Sequence, residues 1–325
     1  KKDCLTDYPN LRRIGNSEGG FAACDESPES WPEYERLFYY KQIERKVEMA
    51  GSRRGRPAKP TQASQLLEAL AFVECGTSEL QDWQSFVRLS GNMAISFNGQ
   101  VAAGHPIVEE LNLCPRLDKL KMALSKCGKS LVISETPSMQ LSVKGDKLRA
   151  LVPCMQAEGL PLVEPDPPIA QVGDILKEAF KVCGVLASEA GERVIEASLL
   201  LEANTCTGTN GHVMLQYWHG IDLPPHMVLP KTFTQAVAKQ AKPITGFGFS
   251  WGNDGNVRSV TFWFDGGSWI KTQCYQDRWP DAVYSAINVQ SYPVETPAGL
   301  FEAVEAVSSF NDDRHVTFAD NMVMS

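Results

Sequence analysis

Cys206–Gly220 reads CTGTNGHVMLQYWHG, with Thr209-Asn210-Gly211-His212 at its centre. Asn-Gly is the strongest short-range signal for a two-residue type I′ turn, whose two central residues both take positive φ. The flanks, 199–203 before and 213–218 after, have strand composition, so the stretch is expected to be a β-hairpin. One hairpin says nothing about function. Its surroundings recur along the chain, and the recurrence decides the fold.

Working outward, Val172, Ile175, Leu176, Ala179, Phe180 and Cys183 fall on one helical face before the hairpin. After it, 230–241 reads as a second helix with Pro at its first turn and Phe233, Ala236 and Val237 inward. Strands are expected at 244–251, 257–264 and 268–275, with turns at Asn253-Asp254-Gly255 and Asp265-Gly266-Gly267. The same unit precedes this one. A helix carries Leu66, Ala69, Leu70 and Val73 and stops at Gly76; strands follow at 85–89, 93–97 and 101–107, the last two joined at Asn98-Gly99. A helix over 116–127 and strands at 130–134, 139–143 and 148–153 complete it. The proline-rich stretch 160–168 reads as a linker between the units. A third copy starts with a helix at 297–307, Leu300, Ala303, Val304 and Val307 inward, and a hairpin from 315–318 and 322–324. Mixed α and β content repeating every 100 to 120 residues, roughly, indicates tandem homologous domains and not a solenoid.

The expected organisation is an N-terminal extension at 1–61, domains at 62–165 and 166–290, and a third starting at 291 and incomplete at Ser325. The extension is polar and acidic around Asp25–Pro32, helical in character over 33–48, and ends in Arg53, Arg54, Gly55, Arg56 and Lys59. Arg-Gly-Arg-Pro resembles the core of an AT-hook, whose arginines enter a narrow minor groove; its other reading is a basic, solvated linker.

The 325-residue chain is 43% hydrophobic and 22% charged, the composition of an ordinary globular protein, and it holds no apolar run of membrane-spanning length. A cytoplasmic setting is expected. Nine cysteines, odd in number and without a CxxC pair, fit neither a disulfide framework nor a zinc site. The net charge of −8 excludes a surface uniformly coated for nucleic acid but leaves room for a local basic face.

Consecutive domains of two helices plus strands, the Thr-x-Gly-His hairpin, Trp279-Pro280-Asp281 at the end of that domain and Tyr217-Trp218-His219-Gly220 after the hairpin resemble the bacterial and phage DNA sliding clamps, the DNA polymerase III β subunit family. The resemblance covers about Gln65–Ser325. It implies an α+β fold of tandem clamp domains forming a ring as a dimer or trimer. Helices line the hole around double-stranded DNA, and no catalysis, cofactor or metal is implied. It also implies partners: DNA polymerase and clamp loader, captured by a short peptide pocket. A non-catalytic DNA-binding or protein-interaction scaffold that leaves the ring open is the alternative.

Two sets of residues follow. Lys119 and Lys126 lie opposite the apolar stripe of their helix, and Lys231 and Lys242 opposite Phe233 and Val237. With Lys239, Lys181, Arg53, Arg54 and Arg56 they form the expected DNA-facing set. By position in the family motif, Thr209, Gly211, His212, Met214 and Pro280 belong to the peptide pocket. The family's arginine after the His is Val213 here, and its arginine four residues after the Pro is Tyr284. Other chemistry reads poorly. Gly246–Gly252 lacks the Gly-Lys-Ser/Thr ending of a phosphate loop, and Asp312-Asp313-Arg314-His315 has no third partner for acid–base work.

Overall fold

The computed structural model describes residues 61–128, 130–188, 193–287, 297–309, 316–319 and 322–324. The chain divides into Lys1–Lys59 and Pro60–Ser325, and every described residue belongs to the second part. The expectations for the extension, including its helix at 33–48 and Arg53, Arg54 and Arg56, lie outside the described residues.

The first helix, α1 (Gln62–Val73), starts where Thr61 accepts a hydrogen bond from the Ser64 amide. It buries Leu66, Ala69, Leu70 and Val73 as the spacing predicts. Strands β1 (Arg88–Ser90), β2 (Met93–Phe97), β3 (Val101–Pro106) and β4 (Asn112–Pro115) lead into α2 (Leu117–Ser125), and β5 (Val132–Glu135), β6 (Gln140–Lys144) and β7 (Arg149–Met155) follow. The order then repeats: α3 (Ile175–Cys183), β8 (Ser198–Leu201), β9 (Thr205–Thr209), β10 (Met214–Trp218), β11 (Met227–Pro230), α4 (Lys231–Lys239), β12 (Ile244–Trp251), β13 (Val257–Phe264) and β14 (Ser268–Gln273). Afterwards come α5 (Asp281–Ile287), α6 (Leu300–Ser308) and a hairpin of β15 (Thr317–Ala319) and β16 (Met322–Met324), which α6 packs against.

Strand order repeats as well. The first set runs β3-β2-β1-β4-β7-β6-β5; the second runs β10-β9-β8-β11, then β14-β13-β12 after the Val228–Tyr275 bridge. The two sets are fused: β14 pairs antiparallel with β3, Trp269 opposite Gly104 and Thr272 opposite Val101, giving one ten-stranded sheet.

Alternation along the strands gives that sheet two distinct faces. Val260, Phe262, Ile270, Ala103, Val101, Ala94, Leu89 and Leu113 lie on one face by register and join the buried residues of α1, α2, α3 and α4 in one core. All four helices therefore lie on the same side. Trp269, Ala102 and Ile95 mark the other face, with Trp263 and Val163 packed on them.

That second face is crossed by the stretch expected to be a linker. Leu160 and Asp166 are buried, and the Asp166 carboxylate accepts from Ser259 Oγ at 2.9 Å, Thr261 Oγ1 at 2.9 Å and Lys271 Nζ at 3.1 Å. Ile169 and Ala170 hydrogen-bond to Phe247 on β12. Gly248 makes room for the crossing, since a Cβ there would stand 2.4 Å from the Pro167 carbonyl oxygen. Gly246 and Gly248 thus serve close chain passage within a strand.

Several expectations need correction. The central hairpin has a four-residue connection and not a two-residue type I′ turn: Met214 pairs with Thr209, and Gly211 has φ 86° while Asn210 is not left-handed. Side chains enforce this, because Asn210 Oδ1 accepts from the amides of His212 and Val213, and Thr209 Oγ1 accepts from Gly211 and donates to Val213. The strand before it is β9, with β8 one strand further in. Strands β4 and β11 were not anticipated; each has four residues and ends in a proline, one residue short of the helix after β4 and directly before it after β11, a pattern too short for alternation to show. The stretch 85–89 is a 3₁₀ turn, Asp82–Ser85, running into the short β1.

Candidate DNA face and partner-peptide site

The helices present their cations unevenly. Lys119, Lys126, Lys181 and Lys239 are exposed, Lys119 lying 3.5 Å from Asp118. Lys231 and Lys242 are half-buried and engaged within the protein. The Lys231 ammonium donates to the Ala187 carbonyl, and Lys242 Nζ lies 2.8 Å from His105 Nε2 and 3.3 Å from Glu68 Oε1. Lys177 is buried, paired with Asp174 at 3.0 Å and donating to the Lys242 carbonyl. Exposed carboxylates at Glu68, Asp118, Asp174 and Glu178 share these helices, so the helical side is mixed in sign and not uniformly basic.

Around the hairpin, register places Thr209, Thr207, Met214 and Gln216 on the face of the four-stranded sheet that also carries Leu200 and Val228. Trp279 covers Leu200 and Val228, its indole N–H pointing at Ser198 Oγ 3.4 Å away, which sets the exposed Pro280 beside that face. Val194, Ile195, Val283 and Tyr284 pack on the same cluster. Thr209 is buried with its hydroxyl committed to the loop, His212 and Val213 are exposed, and Met214 is half-buried. Arg193 and Glu196, paired with each other, flank Gly211, where a Cβ would stand 3.1 Å from Arg193 Nη2. The Thr207 hydroxyl on this face is buried with no hydrogen-bond partner among the described residues.

Tyr284 has a setting the sequence did not disclose. It meets His226 edge-on at 5.8 Å between ring centroids, and the Arg278 guanidinium lies 5.5 Å from its ring centre. Glu202 holds His226 through Nδ1 at 2.8 Å and through its amide at 3.1 Å, with His226 at φ 62°. Burial and then the Glu202 carboxylate push the Tyr284 phenol above its ordinary range. A cation therefore stands beside residue 284 after all, supplied by Arg278. Only its place six residues upstream in a polar stretch could have hinted at it.

Burial pushes the thiols of Cys75 and Cys274 up to about 12 and that of Cys114 to about 11, keeping them protonated. Among the described residues no group of three His, Cys, Asp or Glu side chains could hold a metal ion, and no helix is long and apolar enough to cross a membrane.

Tandem helix-pair units on one fused antiparallel sheet, with the helices all to one side, are the architecture of the DNA sliding clamps. No family model matches the sequence, and no curated protein matches it. Solved structures do. The DNA polymerase sliding clamp of Bacillus subtilis aligns with TM-score 0.62 over 81% of this chain and 78% of that chain at 11% identity. The Helicobacter pylori beta clamp bound to a DNA ligase peptide aligns with TM-score 0.57 over 75% and 74% at 16% identity. The sliding clamp, DNA polymerase III subunit beta, of Pseudomonas aeruginosa bound to griselimycin aligns with TM-score 0.57 over 76% and 72% at 17% identity. The chain has the fold of these clamps.

Proposed function

We propose that the protein is a non-catalytic DNA sliding clamp, a processivity factor that encircles duplex DNA and tethers polymerase through a peptide site. The observation that carries this reading is the single sheet fused through β3 and β14 with α1–α4 all on one side, the fold of solved sliding clamps. The helical side faces DNA, Lys119, Lys126, Lys181 and Lys239 approaching phosphates and releasing counterions without reading sequence. Lys231, Lys242 and the extension's Arg53, Arg54 and Arg56 complete the proposed basic set. Tethering raises the local concentration of the polymerase at the primer end.

The proposed organisation is an N-terminal extension at 1–61 and clamp domains at 62–165, 166–290 and from 291 onward. Self-association follows the repeat: β10 occupies in the second set the place of β3 in the first, and among the described residues no strand pairs with its outer edge. A strand equivalent to β14 from another domain or copy closes there, giving a dimeric or trimeric ring. Thr209, Gly211, His212, Met214 and Pro280 frame the site for polymerase and clamp-loader peptides, with Tyr284 and Arg278 at its rim.

The test is retention on DNA. Protein loaded on nicked circular DNA is expected to withstand salt near ~1 M and to be released when the circle is cut, because topology and not counterion release holds it. Equal salt-dependent release from circular and linear DNA would defeat the ring and favour an open scaffold. For the peptide site, Met214→Glu is expected to weaken a fluorescent peptide ending in Leu-Phe by at least ~10-fold, the effect of placing an unpaired charge on an apolar contact. Anisotropy curves that coincide for the two proteins would remove Met214 from the site.

A further inference from the structure

The β3–β14 joint is secured by polar contacts at both ends. At the start of β3, Gln100 Nε2 donates to Tyr275 Oη at 2.7 Å, Thr232 Oγ1 donates to Gln100 Oε1 at 2.6 Å, and Thr272 Oγ1 donates to the Gln100 carbonyl at 2.9 Å. At the other end stands His105. Its Nε2 lies 2.8 Å from Lys242 Nζ and its Nδ1 lies 2.7 Å from the Pro106 carbonyl oxygen. An ammonium only donates, so Nε2 accepts, the ring proton is on Nδ1, and Nδ1 donates to Pro106. The contact requires a neutral imidazole.

Among the described residues, three elements surround this pair. From α1, Glu68 reaches Lys242 at 3.3 Å and Phe72 packs on His105 at 5.4 Å between ring centres. From α3, Lys177 donates to the Lys242 carbonyl and pairs with Asp174, whose carboxylate also accepts from the Ile244 amide at 2.9 Å. Phe264 of β13 packs edge-on against Phe72. Elements of the first repeat, α1 and β3, thus meet elements of the second, α3 and the α4–β12 connection, through one histidine and one lysine.

We propose that His105 and Lys242 form a pH-releasable latch on this joint: protonation of the imidazole removes the acceptor and sets two cations against each other, opening this end while the Gln100 end stays closed. Among the described residues Glu68 is the one carboxylate touching the pair, and it already belongs to Lys242, so it cannot neutralise a second cation at full strength. Burial lowers the His105 pKa, the Pro106 carbonyl opposes that, the Lys242 charge adds to the lowering and the Glu68 charge opposes it less, leaving the pKa below its ordinary value. A depressed histidine pKa contributes stability that is complete above the unfolded value, about 6.5, and is lost as pH falls below it toward the folded value. Carboxylates, with ordinary values near ~4, stay ionised through that window.

Hydrogen exchange tests the latch on the full chain. Between about pH 7.5 and 5.5, after correction for intrinsic chemistry, the amides of residues 104–105 and 269–271 are expected to lose protection ~10-fold, and those of Val101 and Thr272 less than ~2-fold. His105→Gln, which keeps an acceptor for Lys242 but does not titrate, is expected to hold its protection across the same range. A wild-type joint that is indifferent to pH, or a His105→Gln joint that loosens as wild type does, would overturn the latch. Imidazole ¹⁵N shifts of the wild type give a second readout that needs no variant. The Nδ1–H tautomer with a midpoint below about 6.5 supports the latch, and the Nε2–H tautomer or a higher midpoint refutes it.

Discussion

Asp166→Ala is expected to lower the free energy of unfolding by about 3–5 kcal/mol, read as a fall in the urea midpoint. Asp166 and Lys271 are both buried or nearly so, with side-chain exposures of 7% and 18%, and the pair is 3.1 Å apart. Removing the carboxylate leaves the ammonium with the Glu164 carbonyl at 2.9 Å but without a counter-charge, strips Thr261 of its acceptor and leaves the Ser259 hydroxyl with Ser250 Oγ at 2.7 Å. Loss of a partner is costlier than loss of the pair. Asp166→Asn, which keeps one acceptor oxygen, turns the other into an amide donor and discards the charge, should therefore fall between the two proteins. If Asp166→Ala stayed within about 1 kcal/mol of wild type, the site would have to be wet enough to solvate Lys271.

The second large effect is expected at Gly104, where the fused sheet has no room for even a methyl group. A Cβ there would lie 2.2 Å from Trp269 Cε2 and 2.4 Å from Nε1, inside a buried indole that is itself opposite Gly104 in the strand register. Gly104→Ala is expected to cost about 3 kcal/mol, at the upper end for overpacking because the obstacle is a rigid ring, and Gly104→Val more. Gly173→Ala provides the control, since nothing stands within 4 Å of its Cβ position, and should change stability by less than about 0.5 kcal/mol. Equal midpoints for the Gly104 and Gly173 variants would show that Trp269 can move aside.

The helices and longer strands were readable because their periodicity is dictated by burial. Strands at 244–251 and 257–264 were expected with the bounds they have, and α1 buries the face its leucines mark. What escaped depends on partners distant in sequence. Strands β4 and β11 exist because β1 and β8 lie alongside them, with only four residues each to advertise it. The stretch 160–168 looked like a spacer because its prolines break local structure, yet its one buried carboxylate is matched to hydroxyls some 90 residues on, with sequence separations of 93 and 95. Asn210-Gly211 carried a strong local preference that two neighbouring side chains overrode. The candidate site was legible at the same grain. The Thr-x-Gly-His loop and Trp279-Pro280 do stand by one sheet face, whereas the pairing of Arg278 with Tyr284 needed a helix and a loop brought together in space. The lysine periodicity showed which residues avoid the core, but not that Lys242 and Lys231 spend their charge on protein partners.

The fused sheet also sets a timetable for synthesis. Thr272 Oγ1 reaches the carbonyl of Gln100, 172 positions earlier, so the chain emerging from the ribosome must present β3 long before β14 exists to cover it. During that interval β3 is an unprotected edge with free backbone donors and acceptors, open to pairing with another nascent chain. The second repeat therefore shields the border of the first, and a chain interrupted before Ser268 would leave that side of β3 uncovered.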